Sequence, residues 1–254
     1  MLAAKNHLSR IGLVAVTFAL LLTVTDRIDA RQTLLPIGAI QGAADVTPYL
    51  NRLVNFRGVV VGRYEDENTR GDVYYTLFVQ DVPGAADGDP ATSDGIAVFL
   101  GRDPRPDISL SDHVWVGGKV TEFYGLTEID DNGLILTVEE PQGSIPAPVV
   151  IDPPADLAKQ AAYFEALEGM RVAFEGDVVI AGPTHTGCGF AVMDATAVAE
   201  LPVMRRADDD PTGRVVPVLY PSDLQCDDIP QVKTGDALAA LVGALTYNFD
   251  QFKI

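Results

Sequence analysis

Apolar positions along this chain alternate with polar ones far more often than they recur every three or four residues. That period of two predicts strands. In the first half the β-rich runs are residues 54–64 (VNFRGVVVGRY), 74–81 (YYTLFVQD), 96–100 (IAVFL), 114–123 (VWVGGKVTEF) and 135–139 (ILTVE). Gly, Pro and Asp clusters separate them, as turns require. One of these clusters, Asp130-Asp131-Asn132-Gly133, reads as a hairpin turn, because Asn-Gly supplies the positive φ such a turn needs.

Residues 141–154 (PQGSIPAPVVIDPP) then read as an extended linker, since repeated proline removes ladder donors. A helix is predicted over about residues 155–168, with Asp152 as its cap, Pro153 at its first position and Gly169 as its stop. Strand-like runs resume at residues 170–181, 189–194, 214–219, 237–247 and 249–254. The second set echoes the first. LVNFRGVVVGRY is matched by MRVAFEGDVVIAG, and LSDHVWVGGKVTEFYGLTEI by VKTGDALAALVGALTYNFDQFKI. A glycine in mid-strand beside bulky neighbours suits the bend at a barrel corner.

The pattern therefore predicts an all-β chain of two tandem five-stranded OB-like barrels with a short connecting helix. The boundaries are 37–140 for the first barrel, 141–169 for the linker and helix, and 170–254 for the second barrel. Other small barrels or sandwiches fit the same strand count.

The N-terminus departs from this pattern. Lys5 and Arg10 precede fourteen apolar residues, 11–24, and a polar stretch ends at Ala30. As a helix that run spans about 21 Å, short of a ~30 Å bilayer core, so residues 1–30 read as a secretory signal peptide. An uncleaved anchor is the rival reading. Cleavage implies a secreted or extracytoplasmic protein with no membrane attachment. The whole chain carries 18 Lys and Arg against 36 Asp and Glu, a net charge of −18. Removing Lys5, Arg10, Arg27, Asp26 and Asp29 leaves 15 against 34, or −19. Such a surface repels polyanions, which argues against tight free-standing DNA binding. Cys188 and Cys226 are the only cysteines and in an exported chain predict one disulfide, worth roughly 4 kcal/mol in the chain-entropy model. Two buried free thiols are the alternative.

Three features bear on chemistry. Asp87, Asp89 and Asp94, with Thr92 and Ser93 between, offer hard oxygen ligands for Ca²⁺ or Mg²⁺, though without EF-hand spacing. The competing reading is a loop whose Asp and Ser side chains bond local backbone. Asp208, Asp209 and Asp210 read as a solvated run. Aromatic residues gather in or beside strands, and alternation turns some of them outward. Tyr64, Tyr74, Phe123, Tyr124, Tyr247 and Phe249 are the candidates for stacking a base or a sugar. No nucleophile–base signature is present, so no catalytic residue is assigned.

Several stretches also resemble a known family. GAIQGAADVTPYLNRLVNFRGVVVG, FVQD, DGDPATSDGIAVF and VWVGGKVTEFYGLTEI resemble the OB-like region of bacterial extracellular nucleases, members of the endonuclease/exonuclease/phosphatase superfamily. FEALEGMRV and GALTYNFDQFKI resemble the second half of that region, so the likeness covers about residues 37–254. The phosphodiesterase domain of those enzymes has no counterpart here. The resemblance thus implies an accessory, non-enzymatic module of an extracellular nuclease system, positioning nucleic acid or a partner nuclease domain. An independent protein binding a glycan or a cell-surface protein is the alternative, and a metal-dependent nuclease the third reading.

Overall fold

The computed structural model describes residues 33–68, 70–185, 188–198, 214–219 and 230–254. The predicted signal segment, Cys226 and the Asp208–Asp210 run lie outside the described residues.

The chain is mostly β. After a short helix α1 (Ile37–Gln41), the first half contributes β1 (Leu53–Glu67), β2 (Val73–Gln80), β3 (Gly95–Gly101), β4 (His113–Phe123), β5 (Leu126–Ile129) and β6 (Ile135–Glu140). β1 is long enough to pair twice. Its start runs antiparallel to β4, Phe56 facing Val116, and its end antiparallel to β2, Arg63 facing Leu77. β2 pairs with β3, β3 runs parallel to β5, and β5 returns antiparallel to β4, so the ring closes in the order β1-β2-β3-β5-β4. β6 adds to the outer part of β4.

Alternation fills the ring. Val54, Phe56 and Val60 from β1, Leu77 and Val79 from β2, and Val114, Val116 and Val120 from β4 form one buried cluster. Gly58 and Gly118 occupy inner positions on the strands that cross most tightly. A Cβ at Gly58 would stand 2.4 Å from a Val79 methyl, and one at Gly118 2.3 Å from an Ile129 methyl. Here the mid-strand glycines let strands bend past each other. A register shift follows between Val60 and Gly62. It brings Gly62 opposite Phe78, so that the residues after it change phase, while Val61 packs on the outer face with Phe78, Ala97 and Leu126.

The second half holds β7 (Val149–Val150), α2 (Leu157–Glu165), β8 (Arg171–Ala173), β9 (Asp177–Gly182), β10 (Phe190–Asp194), α3 (Ala195–Val198), β11 (Val216–Val218), β12 (Ala237–Ala239), β13 (Val242–Ala244), β14 (Thr246–Asn248) and β15 (Gln251–Lys253). Its pairings follow the same circuit in shorter pieces. β9 pairs with β10 and β12, β8 with β13, β10 with β11, and β14 with β15. Ile254 donates to Pro217 O and accepts from Leu219 N, a parallel bridge that ties the last strand to β11. Phe174, Ile180, Phe190, Val192 and Leu245 fill this second core.

The correspondence extends to single bonds. Val60 N donates to Asp112 O and Ser111 N to Val60 O; Ile180 N donates to Asp236 O and Gly235 N to Ile180 O. Asp112 and Asp236 each accept from the amide three residues back, Ser109 and Lys233, both at 2.8 Å. Asn51 and Arg52 bond Val120 as Gly169 and Met170 bond Leu245. The weak sequence echo therefore marks equivalent backbone positions. Extra residues explain the breaks in the second copy: Gly176 (φ 90°) lies between β8 and β9, and Ala240 (φ 54°) between β12 and β13.

Residues 32–254 cluster as one unit in which the two halves are clasped. Val61, Phe78, Ala97 and Leu126 pack against Ile145, Ala244 and Tyr247. A Cβ on Gly95 would lie 2.3 Å from the Gly169 carbonyl carbon, so the two backbones touch directly. Glu168, fully buried, accepts from Thr127 N at 3.1 Å, while its carbonyl accepts from Ser93 Oγ at 2.6 Å. Arg171 N donates to Gln80 Oε1 at 3.0 Å.

Three local expectations are corrected. The helix begins later, with Asp156 as its cap, accepting from Ala158 N at 3.1 Å. Pro153 precedes Pro154, which pushes it out of the helical region, and Asp152 N donates instead to the Tyr163 hydroxyl. The proline-rich passage is not only a linker, because β7 pairs in parallel with β8. Asp130–Gly133 is not a hairpin turn. β5 and β6 follow one another along the same antiparallel partner β4, and these residues loop out between them. The reversal belongs to Tyr124 and Gly125, both at positive φ. Among the described residues no helix is long and apolar enough to cross a membrane.

Candidate binding cleft

Because successive strand residues point to opposite faces, the outer face of β1–β3 displays what the core does not take. Tyr74, Thr76 and Phe78 alternate with the inward Leu77 and Val79, and Phe99 alternates with Val98 and Leu100. Tyr64 lies beyond the register shift on β1, near the turn to β2. That turn is built on Asn68, whose side-chain carbonyl accepts from Arg70 N at 2.8 Å and Asp72 N at 3.0 Å.

Two hairpins wall this face. β4–β5 turns at Tyr124–Gly125, and β14–β15 turns at Phe249–Asp250, each pair at positive φ. An aromatic ring at the first turn position has little chain around it. Tyr124 is 83% and Phe249 84% exposed. The two hairpins meet through Tyr247, whose ring lies 2.9 Å from where a Cβ on Gly125 would stand.

The face and the hairpins enclose a cleft of about 750 Å³. Tyr64, Tyr74, Phe123, Tyr124, Tyr247 and Phe249, the six stacking candidates of the sequence, all line it. Their settings differ. Tyr74 stacks on Phe99 with centroids 6.0 Å apart, and Phe123 meets Tyr124 edge-on at 4.8 Å. Tyr75, one position out of phase on β2, packs against the first core, and Phe252, the cross-strand partner of Tyr247 with centroids 4.8 Å apart, packs against the second.

Sequence reading missed the polar lining: Asp66, Asn68, Thr76, Glu128, Asn248 and Asp250. In so acidic a chain single carboxylates carry no signal. Phe99 was also missed, although its place opposite Val98 and Leu100 in the IAVFL run would have put it outside. Burial pushes Glu128 up to about 8, helped by Asp130 and Asp131, so it stands protonated at neutral pH. Burial likewise raises Asp66. The Tyr64 phenol is pushed up to about 12 by burial and then by Asp66. No Lys or Arg is among the described residues lining the cleft. Arg102 lies 5.6 Å over the Tyr74 ring and bridges Asp72 at 2.9 Å, and Lys253 lies 5.4 Å over Phe249.

Residues 139–254 match the model of a family described as a domain of unknown function (DUF8508). The match takes in the proline-rich passage and the whole second copy of the circuit, including the β14–β15 wall of the cleft. No curated protein matches the chain.

A smaller hollow of about 360 Å³ lies between Ala43, Pro90 and Val149 on one side and Tyr163 and Ala166 of the α2 region on the other. It lacks the cluster of rings. The acidic loop is laced by local bonds. Asp87 Oδ1 accepts from Asp89 N at 2.9 Å, Asp89 Oδ1 from Ala91 N at 2.9 Å, and Thr92 Oγ1 donates to Asp87. Asp89 thus faces its own turn, while Asp87 and Asp94 lie near Asp81, which accepts from Ile37 N at 2.9 Å. Asp87, Asp89 and Asp94 do not converge as a ligand set, and among the described residues no group of three or more His, Cys, Asp or Glu does. Cys188 sits at φ 65° between β9 and β10. Its pairing with Cys226 remains a proposal, since Cys226 lies outside the described residues.

Proposed function

We propose that this chain is an exported, non-catalytic binding and scaffolding protein of two tandem OB-type barrels, working beside an extracellular nuclease, and that it holds its ligand in the aromatic cleft. The observation that carries the binding role is the convergence of eight aromatic rings from both halves on one cavity of about 750 Å³. That volume falls within the roughly 300–1,000 Å³ of ligand clefts in general. Support for the barrel type comes from the β1-β2-β3-β5-β4 ring with its parallel β3–β5 contact. The cleft lies on the β2–β3 face between the β1–β2 and β4–β5 turns, where OB barrels take their ligands. Export rests on the N-terminal sequence and the nuclease partnership on the family resemblance. A second reading, an independent cell-surface protein that binds glycans or proteins, is favoured by the acidic lining of the cleft.

The test is to incubate the full chain with single-stranded DNA and with soluble glycans, with and without Mg²⁺ or Ca²⁺. Retention and products are then measured together. One polymer is retained intact, and a Tyr74→Ala/Phe249→Ala variant retains it at least about tenfold less, as lost stacking predicts. Cleaved product, or undiminished retention by the variant, contradicts the proposal.

A further inference from the structure

We infer that the ligand of this cleft is an uncharged carbohydrate chain; this rests on the cleft's being the binding site. Three features of the lining select that chemistry. The exposed rings of Tyr124 and Phe249 offer apolar surface at a solvent-open edge, suited to the C–H face of a sugar ring. The same lining carries the carboxyls of Asp66 and Asp250 and the side-chain amide of Asn248. Carboxylates accept only, and amides accept and donate, so together they match ligand hydroxyls, which do both. Such a site binds by ring contacts and rejects ligands that leave its polar groups unpaired.

Charge separates this ligand from the alternatives. A phosphate chain in the cleft would face Asp250 and Asp66, of which Asp66 feels a nearby cation, Lys253, and among the described residues no Lys or Arg lines the cleft to neutralise it. Arg102 is held by the Tyr74 ring and Asp72, and the Lys253 ammonium by the Phe249 ring. A cationic peptide would seek ring faces, of which Arg102 already holds one on Tyr74 and Lys253 one on Phe249. The protonated Glu128 further lowers the cleft's charge and adds a hydroxyl donor at its floor.

The experiment is calorimetric titration of the full chain with cellohexaose, chitohexaose, oligogalacturonate, oligothymidylate and tetralysine. At least one of the two neutral oligosaccharides binds, and oligogalacturonate, similar in its rings but carboxylated, binds at least about tenfold more weakly. Asp250→Asn narrows that gap. Phe249→Ala and Tyr74→Ala, each checked for native circular dichroism, weaken the neutral ligand about tenfold. Failure of both neutral oligosaccharides to bind, or preferential binding of oligothymidylate or tetralysine, overturns the inference. If the preferred charged ligand is lost in Phe249→Ala, the cleft stands as the site and only the carbohydrate assignment falls. If a neutral oligosaccharide binds both aromatic variants as well as the parent, the cleft itself is refuted.

Discussion

Replacing Gly169 by valine destabilises the protein by about 3–5 kcal/mol, through strain and overpacking together, and lowers its Tm by about 10 °C or more. Gly169 has φ +76°, and a Cβ there would stand 2.6 Å from Ile96 N and 2.8 Å from the Gly95 carbonyl carbon. Backbone on both sides leaves nothing flexible to give way. The same replacement at Gly133 isolates the backbone term, since its φ is +82° but nothing lies within 4 Å of its Cβ position. Gly133→Val therefore costs less, about 1–3 kcal/mol. Thermal unfolding of the two variants separates strain from contact between the halves. Equal losses would mean that the clasp at Gly95 and Gly169 contributes no stability.

The second large effect is with pH. Burial raises Asp81 to about 7, Glu165 to about 7 and Glu128 to about 8, and lifts Glu168 well above an ordinary glutamate. Carboxylate neighbours add to each: Asp94 and Asp87 beside Asp81, Asp45 and Glu122 beside Glu165, Asp130 and Asp131 beside Glu128, Glu165 beside Glu168. A group with a raised folded pKa binds more protons folded than unfolded. Its stabilisation is complete below the unfolded pKa near 4 and is lost as pH rises through the folded value. Stability should thus fall between about pH 4 and pH 8. The acid limb is set by Asp107 and Asp130, which hydrogen bonds from Arg105 and Lys119 hold below the usual range. We expect a Tm about 5–10 °C higher at pH 5 than at pH 8, equivalent to roughly 2–3 kcal/mol. Relief of the overall negative charge acts in the same direction, so the specific test is Glu168→Gln. That variant loses the buried charge but keeps an acceptor for Thr127 N, and it should be more stable than the parent at pH 8 and similar at pH 5. Matching pH profiles for variant and parent would exclude Glu168 as a source of the dependence.

Much of the β architecture was legible because burial writes itself as alternation. The runs around Phe56, Leu77, Val116 and Ile180 each announce one buried face, and the echo of residues 54–64 in residues 170–181 falls on equivalent bonds. What stayed illegible depends on neighbours distant in sequence. Nothing local distinguishes Asp66 or Asp250 from the other carboxylates of the chain, and only the packing of two hairpins brings them to one cleft. The Asn-Gly pair at Asn132 misled because a loop-out along one partner and a hairpin share their turn chemistry. Asp152 misled because the proline pair that makes a good helix start also forbids it when the second proline follows directly.

The most direct test of binding in the cleft follows ring resonances of the full chain during titration with whichever polymer it retains. Signals from Tyr74, Tyr247 and Phe249 should move together while the Trp115 indole, which does not line the cleft, stays still and the ligand's own spectrum shows no new product. Perturbation gathered on another surface, or ligand signals converting to those of a cleaved chain, would contradict a protein that holds its ligand there unchanged.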